Sequence, residues 1–207
     1  MNKNVIIGLV AVVVVGVGGF FGYQYMQLQA QAKKWAGPHK EIVEEKVTKD
    51  GAVTTLHFVS LVDVPLAAVE NVLWTPERGQ EMIENITLSK LLKSEGNTKL
   101  LEMNVRALNL PLQFYTMQFT HDPEHHRISF KTVESQAQDL EGEYVLEPSP
   151  DGKSTRVDYT SKSKDKIALP FPQSVVDSAN REIFVNTMRG VKKGAQQNAA
   201  GSAAPPA

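Results

Sequence analysis

The chain has 207 residues, a net charge of −1 and no cysteine. Such a balance provides no basic field to gather nucleic acid, so that class of partner is disfavoured. The missing thiols exclude disulfides and thiolate metal sites without assigning a compartment.

Residues Val5 to Phe21 carry no charge. As a helix they would span roughly 25 Å, near the lower limit for crossing hydrocarbon, with Tyr23 and Tyr25 at the interface. The rival reading is a cleaved signal peptide, since Lys3 gives a positive start and Ala30-Gln31-Ala32 resembles a cleavage site. The apolar run is longer than a usual signal core and ends about ten residues before that site, so an uncleaved anchor over residues 1–23 is expected. Charge counting is nearly balanced, with Lys3 ahead of the run and Lys33, Lys34 and Lys40 behind it. The very short leading tail favours a cytoplasmic start. The expectation is therefore a single pass through a bacterial inner membrane, with the domain on the extracytoplasmic side. Residues 24–38 form a stem rich in Gln, Ala and Lys that ends at Gly37-Pro38.

A single domain is expected over residues 39–195. Asp50-Gly51 marks a turn between a short strand within Glu41 to Val47 and a longer one from Val53. On the longer strand Leu56, Phe58, Ser60 and Val62 share one face and His57, Val59 and Leu61 the other. Pro65 stops it. Leu66 to Leu73 then reads as a short helix. Thr75-Pro76-Glu77 offers an N-cap, a first-turn proline and an acidic residue for a second helix ending near Glu84.

Six alternating runs follow, separated by polar turns: Leu88 to Lys93, Lys99 to Leu108, Leu112 to Thr120, Arg127 to Val133, Leu140 to Leu146 and Thr155 to Lys164. Such short connections imply an antiparallel meander. A closing amphipathic helix covers about Gln173 to Val191. Val176, Ala179, Ile183, Phe184, Thr187, Met188 and Val191 form its apolar stripe, and Asp177, Arg181, Glu182, Asn186 and Arg189 point away. Residues 196–207 have nothing to bury and are expected to be disordered.

This layout resembles the START/Bet v 1-like superfamily, also called SRPBCC, the polyketide cyclase/dehydrase and lipid transport proteins. The residues that carry the resemblance are Val62-Asp63-Val64-Pro65 leading into Val69 and Leu73-Trp74, Ile86 to Leu92 after the two helices, and Leu169-Pro170-Phe171-Pro172 entering the last helix. It covers about Val53 to Ala195. The resemblance implies an α+β helix-grip fold, a curved antiparallel sheet around a long C-terminal helix with an apolar cavity between them. Members mostly bind lipids, sterols, quinones or polyketides, and some catalyse cyclisation or dehydration, so membership alone does not settle function.

Candidates for the cavity are Phe58, Val62, Leu112, Phe114, Tyr144, Tyr159, Ile183 and Phe184. Arg106 would meet an acidic head group if its face is the inner one, and is otherwise a surface arginine. Leu169, Pro170 and Phe171, within the apolar run Ile167 to Pro172, are gate candidates. His121 and His125, with Asp122 and His126, have ligand chemistry, but Asp122-Pro123 reads as a turn and removes the helical spacing a metal pair needs. His57 is expected to be structural, and Ser161 to Lys166 a solvated strand end rather than a nucleophile pair. Neither a catalytic residue nor a metal or cofactor is expected. The leading expectation is membrane-tethered binding or transport of a hydrophobic small molecule, such as a lipid or quinone. The alternatives are a cyclase or dehydratase acting on an apolar substrate, or an interaction module whose core is filled by side chains.

Overall fold

The computed structural model describes Tyr23, Met26, Trp35 and residues 40–108, 110–167 and 171–202. The expected anchor run 5–21, most of the stem, the gate residues Leu169 and Pro170, and residues 203–207 lie outside the described residues. Among the described residues no helix is long and apolar enough to cross a membrane.

Eight strands form one antiparallel sheet: β1 (Glu44–Asp50), β2 (Val53–Val62), β3 (Ile86–Glu95), β4 (Thr98–Val105), β5 (Gln113–Asp122), β6 (Arg127–Ser135), β7 (Gln138–Pro148) and β8 (Thr155–Asp165). Helices α1 (Leu66–Leu73) and α2 (Gly79–Met82) connect β2 to β3, and α3 (Gln173–Ser202) follows β8. The spatial order β1-β2-β8-β7-β6-β5-β4-β3 makes β3 to β8 a meander and seats β2 beside its last strand. This is the helix-grip architecture. The chain divides between Pro38 and His39 into two units, and the sheet and helices α1 to α3 belong to the second.

Turn chemistry sets the register locally. Asp50 pairs with Val53 and Glu95 with Thr98, leaving two-residue loops whose first members, Gly51 and Gly96, have φ near +58° and +53°. A side chain there would be strained, which is why the sequence places glycine at both. The two outer strands of the sheet are β1 and β3. β3 is interrupted by register shifts between Ile86 and Leu88 and between Leu91 and Lys93.

The expected elements are present, with three local differences. Thr75 does not cap the second helix. Its hydroxyl donates back to the carbonyls of Asn71 and Val72, closing the end of α1, and Pro76–Arg78 forms a 3-10 turn before α2. Helix α3 continues past Val191 to Ser202, where a disordered tail was expected from residue 196. The small residues just ahead of that stretch let the helix pass close to Met82. Ala195 is buried, and Cβ atoms at Gly190 and Gly194 would lie 2.8 Å from the Met82 carbonyl oxygen and 2.5 Å from the Met82 sulfur. Finally, Glu182 and Asn186 do not point away. Buried Asn85, just ahead of β3, donates to Glu182 Oε1 and to the Arg106 carbonyl at 2.8 Å, and accepts from Asn186 Nδ2 at 2.7 Å. That network fastens α3 to the β3–β4 end of the sheet.

Replacing Gly190 with Ala tests the close approach. Helix propensity alone favours alanine by about 1 kcal/mol, whereas overpacking against an immovable carbonyl costs about 1–3 kcal/mol. The expected outcome is a lower urea midpoint at unchanged m-value. A raised midpoint would show that α2 does not pack on α3 at this point.

Candidate functional site

Between the inner face of the sheet and α3 lies a cavity of about 180 Å³. The meander supplies one wall and α1, α2 and α3 the other. Tyr144, Tyr159, Ile183 and Phe184 line it, together with Leu56, Met103, Tyr115, Met117 and Phe130 from the sheet and Leu73 and Met82 from the helices. Among the described lining residues there is no Asp, Glu, Lys, Arg or His. The polar groups that reach it are uncharged: the phenols, Gln138, Ser161, Ser163, Asn180 and two threonines.

An aromatic group fixes one side of this space. Phe184 on α3 lies 5.0 Å from Phe58 and 5.3 Å from Tyr159, and Tyr159 in turn stacks at 15° on Phe130 and meets Tyr144 at 5.0 Å. Centroid separations of this kind suit offset and tilted aromatic pairs. Gly142 makes the arrangement possible. It pairs with Phe130 on β6 and Ser161 on β8, and a Cβ there would fall 2.6 Å from the Phe130 ring.

Burial governs the phenols. It pushes Tyr159 from the ordinary 10.0 up to about 12; the Ser161 hydroxyl beside it opposes this in part, although no hydrogen bond of ordinary geometry reaches Ser161 Oγ. Tyr144 is raised well above the usual value by burial, with a smaller contribution from Tyr159. Tyr115 is raised by burial, opposed by the amide of Gln138, which donates to its hydroxyl at 2.6 Å. All three are neutral phenols at physiological pH.

The remaining candidates sit elsewhere. Phe58 is fully buried behind Tyr159 and Phe184, and Val62 is buried in the core; neither forms the lining. Phe114 is 53% exposed, because β5 turns Tyr115, Met117 and Phe119 inward and the alternate residues outward. Leu112 precedes β5, half-buried and outside the lining. Arg106 is exposed: β4 ends at Val105, and what the fold uses at the next residue is backbone bonded to Asn85. Phe171 is half-buried ahead of α3 and outside the lining. Ser161 runs the other way. Read as part of a solvated strand end, it is 1% exposed and faces the cavity.

The histidines serve as braces. His57 lies off the cavity, bonded to Asp158 at 2.9 Å. Glu70 on α1 receives His121 at 2.8 Å and His126 at 3.2 Å, and the His121 ring stacks on Trp74. Lys99 reaches Glu77 and the Trp74 carbonyl at 2.8 Å. Helix α1 is thereby held to the β5–β6 end of the sheet. Among the described residues no group of three or more His, Cys, Asp or Glu could hold a metal ion.

Neither a protein-family model nor a curated protein matches the sequence. Solved structures do match. The Zhui aromatase/cyclase from Streptomyces sp. R1128 superposes with a TM-score of 0.64 at 13% identity, over 74% of this chain and 99% of that one. A START superfamily protein from Mycobacterium smegmatis gives 0.56 at 11%, over 70% and 98%. A STAR-related lipid transfer protein from Xanthomonas axonopodis gives 0.54 at 14%, over 74% and 99%. The fold is that of the START/Bet v 1-like superfamily. At these identities the likeness establishes architecture, while function rests on the site.

The raised phenols carry a pH signature. A group whose folded pKa exceeds its unfolded value contributes stability below the unfolded pKa and loses it as pH rises toward the folded one. Urea stability is therefore expected to hold to about pH 9.5 and to fall between about pH 10 and 12. Tyr159→Phe should flatten that fall, and an unchanged slope would show that the Tyr159 phenol is not buried.

Proposed function

We propose that the domain binds a hydrophobic small molecule in the cavity beneath α3, and that the N-terminal apolar run tethers it to a membrane. The observation that carries this reading is a cavity whose described lining is apolar or neutral throughout. General acid–base catalysis needs a group that exchanges a proton near the working pH. The only ionisable groups among the described lining residues are phenols pushed further from that range, which counts against a cyclase or dehydratase. The volume in turn counts against a core filled by its own side chains.

Carriage has a clear energetic rationale. An apolar chain exposes about 0.8 kcal/mol per methylene to water, so eight methylenes cost about 6 kcal/mol in transit. A tether adds no affinity but holds the cavity where such molecules dissolve. The sequence pattern supports an inner-membrane location with the domain on the extracytoplasmic side. The solved structures of similar fold include one named as a lipid transfer protein and one named as an aromatase/cyclase, both consistent with an apolar guest.

Native mass spectrometry of the full chain released from nanodiscs is expected to show a bound apolar small molecule, and washed protein should take up an apolar fluorescent probe from vesicles. Protein that is uniformly empty and takes up nothing would overturn the reading.

A further inference from the structure

One polar group in the cavity wall has no internal explanation. Ser161 is 1% exposed, lines the cavity, and its Oγ makes no hydrogen bond of ordinary geometry. An orphaned buried hydroxyl costs about 1–3 kcal/mol, so its retention calls for a partner. The register explains why no residue across the sheet supplies one. Across the sheet Ser161 faces Gly142 on β7 and Leu56 on β2, neither of which has a polar side chain. Filling the glycine position is barred by the Phe130 ring and the Ser161 backbone. Along β8 its same-face neighbours are Tyr159 and Ser163, both at the cavity, and the Tyr159 hydroxyl lies beside Ser161 Oγ without a hydrogen bond of ordinary geometry.

Size and charge narrow what could meet it. The cavity, about 180 Å³, is somewhat larger than the roughly 150 Å³ apolar cavity known to take up benzene and smaller than the roughly 300 Å³ at which pockets for drug-sized ligands begin. An anionic head would be buried with no cation among the described lining residues to pair it, which is strongly unfavourable. The flanking rings of Phe130, Tyr144 and Tyr159 present aromatic faces and edges.

Resting on the small-molecule reading above, we propose that Ser161 is the specificity-determining anchor of this cavity. It hydrogen-bonds the single neutral oxygen, hydroxyl or carbonyl, of a ligand one or two rings in size, and the site selects against carboxylates of the same shape. The protein gives up stability at Ser161 in the empty state and recovers it on binding.

The test uses the full chain in nanodiscs, with equilibrium dialysis against empty nanodiscs, at pH 7 and with three probes: naphthalene, neutral 2-naphthol and anionic 2-naphthoate. Wild type is expected to prefer naphthol to naphthalene by about 3- to 10-fold, the range of one net hydrogen bond, and to bind naphthoate most weakly. Ser161→Ala should bring the naphthol-to-naphthalene ratio close to one. The ligand-free variant should melt no lower than wild type, since it loses an unpaired hydroxyl. An unchanged ratio in the variant, naphthoate binding as well as naphthol, or a clearly lowered melting temperature of the empty variant would overturn the anchor while leaving hydrophobic binding in place. If none of the probes binds, the small-molecule reading fails with it.

Discussion

Helix α3 is positioned by contacts of two different kinds, aromatic ones to the sheet and close backbone ones to the two short helices α1 and α2. On one flank Phe184 meets the rings of Phe58 and Tyr159, an approach set by the thickness of aromatic side chains. On another, Gly190 and Gly194 bring the helix backbone almost against Met82 and Val72, an approach set by the absence of any side chain. A rigid helix cannot lie flush against both. Close packing fills most protein interiors to crystal-like density, so a void of this size needs such a constraint to persist. The Asn85–Glu182–Asn186 network adds a polar fastening that resists sliding, because moving α3 would strand buried amides.

The chemistry of the void follows from which faces the strands turn inward. Several ionisable groups near the cavity are spent on bracing: His57 with Asp158, Glu70 with His121 and His126, Lys99 with Glu77. Those pairs sit outside the lining and hold its walls in position. What remains inside is apolar surface, three neutral phenols and a few amides and hydroxyls. On the reading proposed above, such a site stabilises a guest by removing its apolar surface from water and orients it by a small number of hydrogen bonds.

Much of this architecture could be read from residue order, because strand alternation and turn residues are local signals. The six strands of the meander, the glycine turns at Gly51 and Gly96 and the apolar stripe of α3 all lie where the pattern puts them. The site was less legible. On β5 two phases compete, Leu112 and Phe114 against Tyr115, Met117 and Phe119; the longer in-phase set, opposite Thr116, Gln118 and Thr120, marks the inner face. Ser161 could have been found the same way, since it shares a face with Tyr159, which was already a cavity candidate. The length of α3 could not. Glycine and alanine at a tight helix contact have the same composition as a flexible tail, and only the distant Val72 and Met82 tell them apart. Glu182 and Asn186 resisted for a similar reason, their partner Asn85 being about a hundred positions away.

The sheet does not close on itself, so β1 and β3 each leave a row of backbone groups facing outward. Open rows of this kind invite a neighbouring molecule to add its own strand, the first step toward aggregation. Both are blunted in this chain. β1 is only seven residues long and carries charges of both signs along Glu44-Glu45-Lys46-Val47-Thr48-Lys49-Asp50. β3 carries Lys90, Lys93 and Glu95 and is twice thrown out of register, so no long flat template survives. On the tethered reading proposed above, domains crowded in two dimensions would meet one another far more often than in solution, and for such a population the irregular β3 border is a safeguard against self-association.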